Sequence, residues 1–158
     1  MKKLSCILLV LLSMSFLACS SDDSSSNNST NPDGELYLKF TLNGVAYDFE
    51  PETLTSLQIL VRGDQEVGGV FNSISLWMPT APAVGSHPIT DAFPSDSNIG
   101  TLYNANVWVG SEIVDASTGT MVITGVGEEY VEGTFSFSGT NDNGTTATVT
   151  NGSFRAYK

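Results

Sequence analysis

From Glu35 to Phe49 apolar side chains recur at alternate positions, a period that admits β-strands and excludes an amphipathic helix. Leu36, Leu38, Phe40 and Leu42 fall on one face, with Glu35, Tyr37, Lys39 and Thr41 on the other. Asn43-Gly44 follows. This is the pair a two-residue type I′ turn prefers, because both of its central residues need positive φ. Such a loop sets Leu42 opposite Val45, Phe40 opposite Tyr47 and Leu38 opposite Phe49. The same register brings Lys39 opposite Asp48. An apolar row and an opposite-charge pair emerge together, and a slip of one residue would destroy both.

The same period predicts strands near Leu57–Arg62, Val70–Met78, Tyr103–Val109, Met121–Val126, Val131–Ser138 and Thr145–Tyr157. In the last of these the apolar set changes parity, from Ala147 and Val149 to Phe154 and Ala156. One extra residue at Asn151-Gly152 restores the alternation, which predicts a β-bulge there. The stretch from Pro79 to Asn98 holds four prolines and reads as mostly loop. Residues 35–158 therefore read as an all-β domain, an antiparallel β-sandwich or flattened barrel of about eight strands.

Residues 1–18 carry a different pattern. Lys2 and Lys3 precede an apolar run from Leu4 to Leu17 of about 14 residues, short of the roughly 20 that a membrane-spanning helix needs. The run ends in Leu17-Ala18-Cys19, which resembles the bacterial lipobox. That resemblance implies cleavage before Cys19, a diacylglycerol on its thiol and a fatty acyl chain, such as palmitate, on its new amino group. Each buried CH₂ of such chains contributes roughly 0.8 kcal/mol to anchoring. Cys6 lies in the segment to be removed, so the mature chain would keep Cys19 alone and could form no internal disulfide. Ser20 to Gly34 is built of Ser, Asn, Asp, Thr, Pro and Gly and reads as a disordered tether spanning on the order of 20 Å. Asp22 and Asp23, just after the cysteine, resemble the surface-export signal of Bacteroidetes lipoproteins. The expected address is the outer membrane, facing outward.

The C-terminal third supplies a second resemblance. Thr118-Gly119-Thr120-Met121-Val122-Ile123-Thr124, then Gly133-Thr134-Phe135-Ser136-Phe137, then Val149-Thr150-Asn151-Gly152-Ser153-Phe154 resemble a family of small Bacteroidetes lipoproteins. Their first hairpin is similar to Leu42-Asn43-Gly44-Val45-Ala46-Tyr47. The resemblance implies a fold and an address but no assigned activity.

The formal net charge of -11 comes from six Lys and Arg, two of them in the export segment, against seventeen Asp and Glu. So acidic a chain argues against nucleic acid and against docking on anionic lipid except through the anchor. His87 is the single histidine and reads as a loop residue; no Ser-His-Asp triad or zinc set is suggested. Asp91 with Asp96, and Asn141-Asp142-Asn143, are candidate calcium ligands by residue type. The spacing is not that of an EF-hand, and the second group is what a hairpin turn wants. Glu128 and Glu129 read as a solvated pair in a turn. No metal and no cofactor beyond the lipid on Cys19 is expected, and no enzyme activity.

The aromatic residues offer more. With Ile74, Leu76 and Met78 inward, Trp77 shares a face with Ser73 and Ser75. With Tyr103, Ala105, Val107 and Val109 inward, Trp108 shares one with Asn104 and Asn106. Trp77, Trp108, Asn104 and Asn106 together read as a candidate platform, with rings to stack on a sugar and amides to bond its hydroxyls. On that reading the tryptophans lie within one ring-length of each other. The expected function is a non-catalytic binding module for a glycan or an outer-membrane protein. The alternative is a structural or assembly accessory of the outer membrane with no ligand of its own.

Two outcomes follow for the N-terminal segment. Cys19→Ser should abolish labelling by a metabolic fatty-acid probe, and a mutant that still takes up label would refute lipidation there. Replacing Asp22 and Asp23 by alanine should reduce shaving of the domain from intact cells by added protease.

Overall fold

The computed structural model describes residues 34–158. Cys19, Asp22, Asp23 and the segment up to residue 33 lie outside the described residues. Eleven strands are present: β1 Tyr37–Leu42, β2 Val45–Phe49, β3 Glu52–Thr55, β4 Gln58–Val67, β5 Val70–Pro79, β6 Gly85–Ile89, β7 Asn104–Val109, β8 Glu112–Asp115, β9 Thr118–Val126, β10 Tyr130–Thr140 and β11 Thr146–Tyr157. They form two antiparallel sheets. One has six strands in the order β2-β1-β11-β10-β9-β6, and the other five in the order β3-β4-β5-β7-β8. The fold is a β-sandwich.

The inner faces of the two sheets make one core. Leu38, Phe40, Met121, Ile123, Val131 and Phe154 come from the larger sheet; Ile59, Val61, Ile74, Leu76, Met78 and Val107 come from the smaller. These are the alternate positions that the period of two selects. The first hairpin has the register expected of it, including Phe40 opposite Tyr47 and Lys39 opposite Asp48. Asn43 and Gly44 both have positive φ, and Lys39 Nζ sits 3.2 Å from Asp48 Oδ2. Phe40 stacks on Tyr47 at 5.2 Å and meets Phe49 edge-on at 5.3 Å.

The bulge in β11 is also where parity requires it. Lys39 pairs with Ser153 but Thr41 with Thr150, and Phe135 pairs with Gly152 but Phe137 with Val149. Asn151 takes φ 53°, the left-handed region that asparagine tolerates best among residues with a side chain. Gly152 beside it is packed against the Phe135 ring, where a Cβ would collide.

The strand count differs from expectation: eleven strands, not about eight. The additional ones are β3, β6 and β8, each four or five residues long and each at the edge of a sheet. An edge strand has a partner on one side only, so it needs little apolar alternation, and these three show little. β6 is a short strand within the stretch from Pro79 to Asn98, which is otherwise mostly loop, and it corrects the assignment of His87 to a loop. It pairs with β9, His87 opposite Met121 and Pro88 opposite Thr120. Proline is tolerated there because an edge strand can leave one amide position unused.

The sheets meet where β8 approaches β10. Gly139 packs directly on the carbonyl of Asp115, with no room for a Cβ, and Ser117 N donates to Ser138 O at 3.0 Å. Gly139→Ala must push the two sheets apart locally. It should cost about 1–3 kcal/mol, as overpacking does, read as a lower urea midpoint with an unchanged slope.

Candidate functional site

The outer face of the smaller sheet carries rows of side chains that the register makes explicit. Leu54, Leu60, Trp77 and Asn104 lie side by side across β3, β4, β5 and β7. The next row is Glu52, Arg62, Ser75, Asn106 and Asp115. Trp77 is partly buried and Ser75 is 8% exposed, because the small serine lies between larger neighbours at the centre of the sheet.

Where β7 begins and β8 ends, this face deepens into a cleft of about 910 Å³. Its floor is Trp77, Asn104 and Asn106. One wall is the segment from Thr90 to Pro94, and the other is the β10–β11 turn from Thr140 to Asn143, with Asp115 beside it. Asparagine amides hold both walls. Asn104 Nδ2 donates to Thr90 O at 2.6 Å and to Ala92 O at 3.1 Å. Asn98 Nδ2 donates to Phe93 O at 3.0 Å, while its Oδ1 accepts from Ser95 N at 2.8 Å. Asn141 Nδ2 donates to Ile113 O at 3.2 Å and to Glu112 Oε2 at 2.9 Å. So fastened, the first wall presents Phe93 at 90% exposure, a ring that buries almost nothing for the fold.

The candidate platform is therefore divided. Trp77, Asn104 and Asn106 come together in the cleft, but Trp108 does not line it. Trp77 pairs with Asn104, and Trp108 stands four residues further along β7, about 13 Å away at the rise of a strand. The expectation that the two rings lie within one ring-length is corrected by that offset. Trp108 instead meets Phe71 edge-on at 6.0 Å.

Phe93 is the residue that reading the sequence missed. Its signal was present: one aromatic side chain among Pro and Asp in a stretch with no apolar partner to bury it.

His87 lies outside the cleft. Its ring stacks on Tyr103 at 4.1 Å and 10°, and Nε2 sits 2.7 Å from Ala83 O. Tyr103 is buried, which pushes its phenol above the ordinary value, against the pull of a backbone hydrogen bond from Ala83. Asn141 Oδ1 accepts from Asn143 N at 3.1 Å and Thr145 N at 2.9 Å, the work of a turn asparagine. Glu128 and Glu129 are exposed between β9 and β10. Among the described residues no three His, Cys, Asp or Glu gather as a metal would require. Asp91 lines the cleft and Asp96 does not.

Comparison with models of protein families, with curated proteins and with solved structures finds no match.

Asn104 joins floor to wall, so Asn104→Ala should release the Thr90–Pro94 wall. Loss of its two hydrogen bonds should cost about 1–2 kcal/mol. Amides between residues 90 and 99 should then exchange with deuterium faster, while those of β5 keep their protection.

Proposed function

We propose that this chain is a lipoprotein of the Bacteroidetes type it resembles, held to the outer membrane by lipid on Cys19 and facing outward under the signal of Asp22 and Asp23. In this reading its β-sandwich is a non-catalytic module that binds a glycan in the cleft over Trp77. One observation carries the binding reading: a 90% exposed Phe93 and a partly buried Trp77 border the same cleft, among side-chain amides and hydroxyls. Rings supply apolar faces for the C–H face of a sugar, and amides bond its hydroxyls.

Two features favour a glycan over an extended peptide, and binding over catalysis. A peptide would add to a free strand edge, but β8, the strand beside the cleft, has its Ile113 carbonyl taken by Asn141 and its Asp115 carbonyl covered by Gly139. The carboxylates of the cleft, Asp91, Asp115 and Asp142, are all exposed. They stand open to solvent, with no apolar enclosure of the kind that sequesters a catalytic carboxyl group.

The test is an array of glycans probed with the full chain in detergent, wild type beside Phe93→Ala. A set of retained saccharides is expected. The alanine variant should bind them more weakly by about 1 kcal/mol or more. Its Tm should stay the same, since an exposed ring stabilises nothing. An array with no signal would leave the accessory role without a ligand as the better reading.

A further inference from the structure

The hydrogen-bonding groups of the cleft are not evenly split between donors and acceptors. Asn104 spends both of its amide hydrogens on Thr90 O and Ala92 O, and Asn141 spends both on Glu112 and Ile113. Asn106 gives one to Asp115 Oδ1 at 3.3 Å, and Asn143 gives one to Glu112 Oε2 at 2.8 Å. Gln58, only 8% exposed, lines the cleft and gives Nε2 to Leu102 O at 3.0 Å, while its Oε1 has no partner among the described residues. Asn106 and Asn143 each keep one N–H, and Thr90, Ser117 and Thr140 add hydroxyls, but acceptors outnumber these donors: the amide oxygens of Gln58, Asn104 and Asn106 and the carboxylates of Asp91, Asp115 and Asp142. A ligand that fits must bring the hydrogens.

Charge points the same way. Residues 34–158 hold four basic side chains, Lys39, Arg62, Arg155 and Lys158, and none lines the cleft. Lys39 is paired with Asp48, Arg62 with Asp64 at 3.0 Å, and Arg155 with Glu132 at 2.9 Å. The three carboxylates of the cleft thus have no cation beside them, and they stand around two aromatic rings. Carboxylates with ring faces are the surroundings that an ammonium group seeks.

We infer that the cleft selects glycans bearing free amino groups, binding the ammonium between the carboxylates and the rings of Trp77 and Phe93. The inference rests on the glycan reading above and narrows it: neutral sugars fit less well, and sugars carrying carboxylate or sulfate are repelled.

Calorimetric titration of the full chain in detergent, in mildly acidic buffer of low ionic strength, decides it. The probes are the β-1,4 hexamers of glucosamine and of N-acetylglucosamine, which share a backbone and differ in the free amine, and an oligogalacturonate. The glucosamine hexamer should bind roughly tenfold tighter than its acetylated twin, the size of one well-placed ammonium contact. The galacturonate should give no heat of binding. The double variant Asp91→Asn/Asp115→Asn, with its melting checked against wild type, should bring the two hexamers close to equal affinity. Asp96→Asn, which removes a carboxylate outside the cleft, should leave the preference as it is. Equal binding of both hexamers by wild type would overturn the inference and leave the glycan reading standing. A preference lost as much through Asp96→Asn as through the double variant would also overturn it, since overall charge would then be the cause. No heat of binding from either hexamer or from the galacturonate would overturn both the inference and the glycan reading.

Discussion

Everything in this domain hangs on the burial of two inner sheet faces against each other, since residues 34–158 contain no cysteine to cross-link them. Burial is therefore the source of both stability and register. Phe154, Leu38, Met121 and Ile123 on one sheet, with Ile59, Ile74, Leu76 and Met78 on the other, are essentially inaccessible to water. At about 25 cal/mol per Å² of apolar surface, each such side chain stabilises the fold by roughly 1.5–3 kcal/mol. A strand displaced by one residue turns its whole contribution outward. That is why the long parity change in β11 is repaired locally, by Asn151 in a left-handed conformation, and not by a shift of the strand.

Where the chain's instructions are local, they can be read directly. The β1–β2 hairpin follows from Asn43-Gly44, because a two-residue turn leaves the pairing no freedom. The bulge follows from counting positions between Val149 and Phe154. Edge strands are another matter. Glu52–Thr55 and Glu112–Asp115 bury one strong apolar residue between them, Val114, and owe their conformation to the neighbour that offers hydrogen bonds. Gly85–Ile89 even accommodates Pro88. The division of Trp77 from Trp108 was hidden for a related reason. β5 and β7 are joined by a long excursion through β6, so no tight turn announces their register. Phe93 stood out in the sequence as a ring without apolar neighbours, but its place on the cleft wall was hidden, being set from elsewhere by Asn98 and Asn104.

Those asparagines show how a sandwich without disulfides keeps its loops in place. Asn43 reaches across to β11, accepting from Thr148 N at 2.9 Å and donating to Thr146 O at 3.3 Å. Asn104 and Asn141 do the same for the segments around the cleft, and Asn98 closes the first of those segments on itself. Each such bond adds only about 0.5–1.5 kcal/mol net. Its larger effect is to fasten a backbone segment to a strand that the core already holds. The amide is suited to the task because it donates and accepts at once, so one side chain can meet both polarities of an exposed main chain.

The same device shapes the chemistry of the cleft. At Asn104 both N–H groups tie down loop carbonyls, so the group it leaves for the cleft is its oxygen. The floor of the cleft is acceptor-rich there. With Asp91, Asp115 and Asp142 added, and with Lys39, Arg62 and Arg155 committed to partners elsewhere, the surplus of acceptors becomes a surplus of negative charge. Fastening also lowers the entropic cost of binding, because the walls are ordered before any ligand arrives. Loop order and the polarity of the cleft are thus two consequences of one choice, the use of asparagine side chains to fasten loops in a domain whose described residues hold no cysteine.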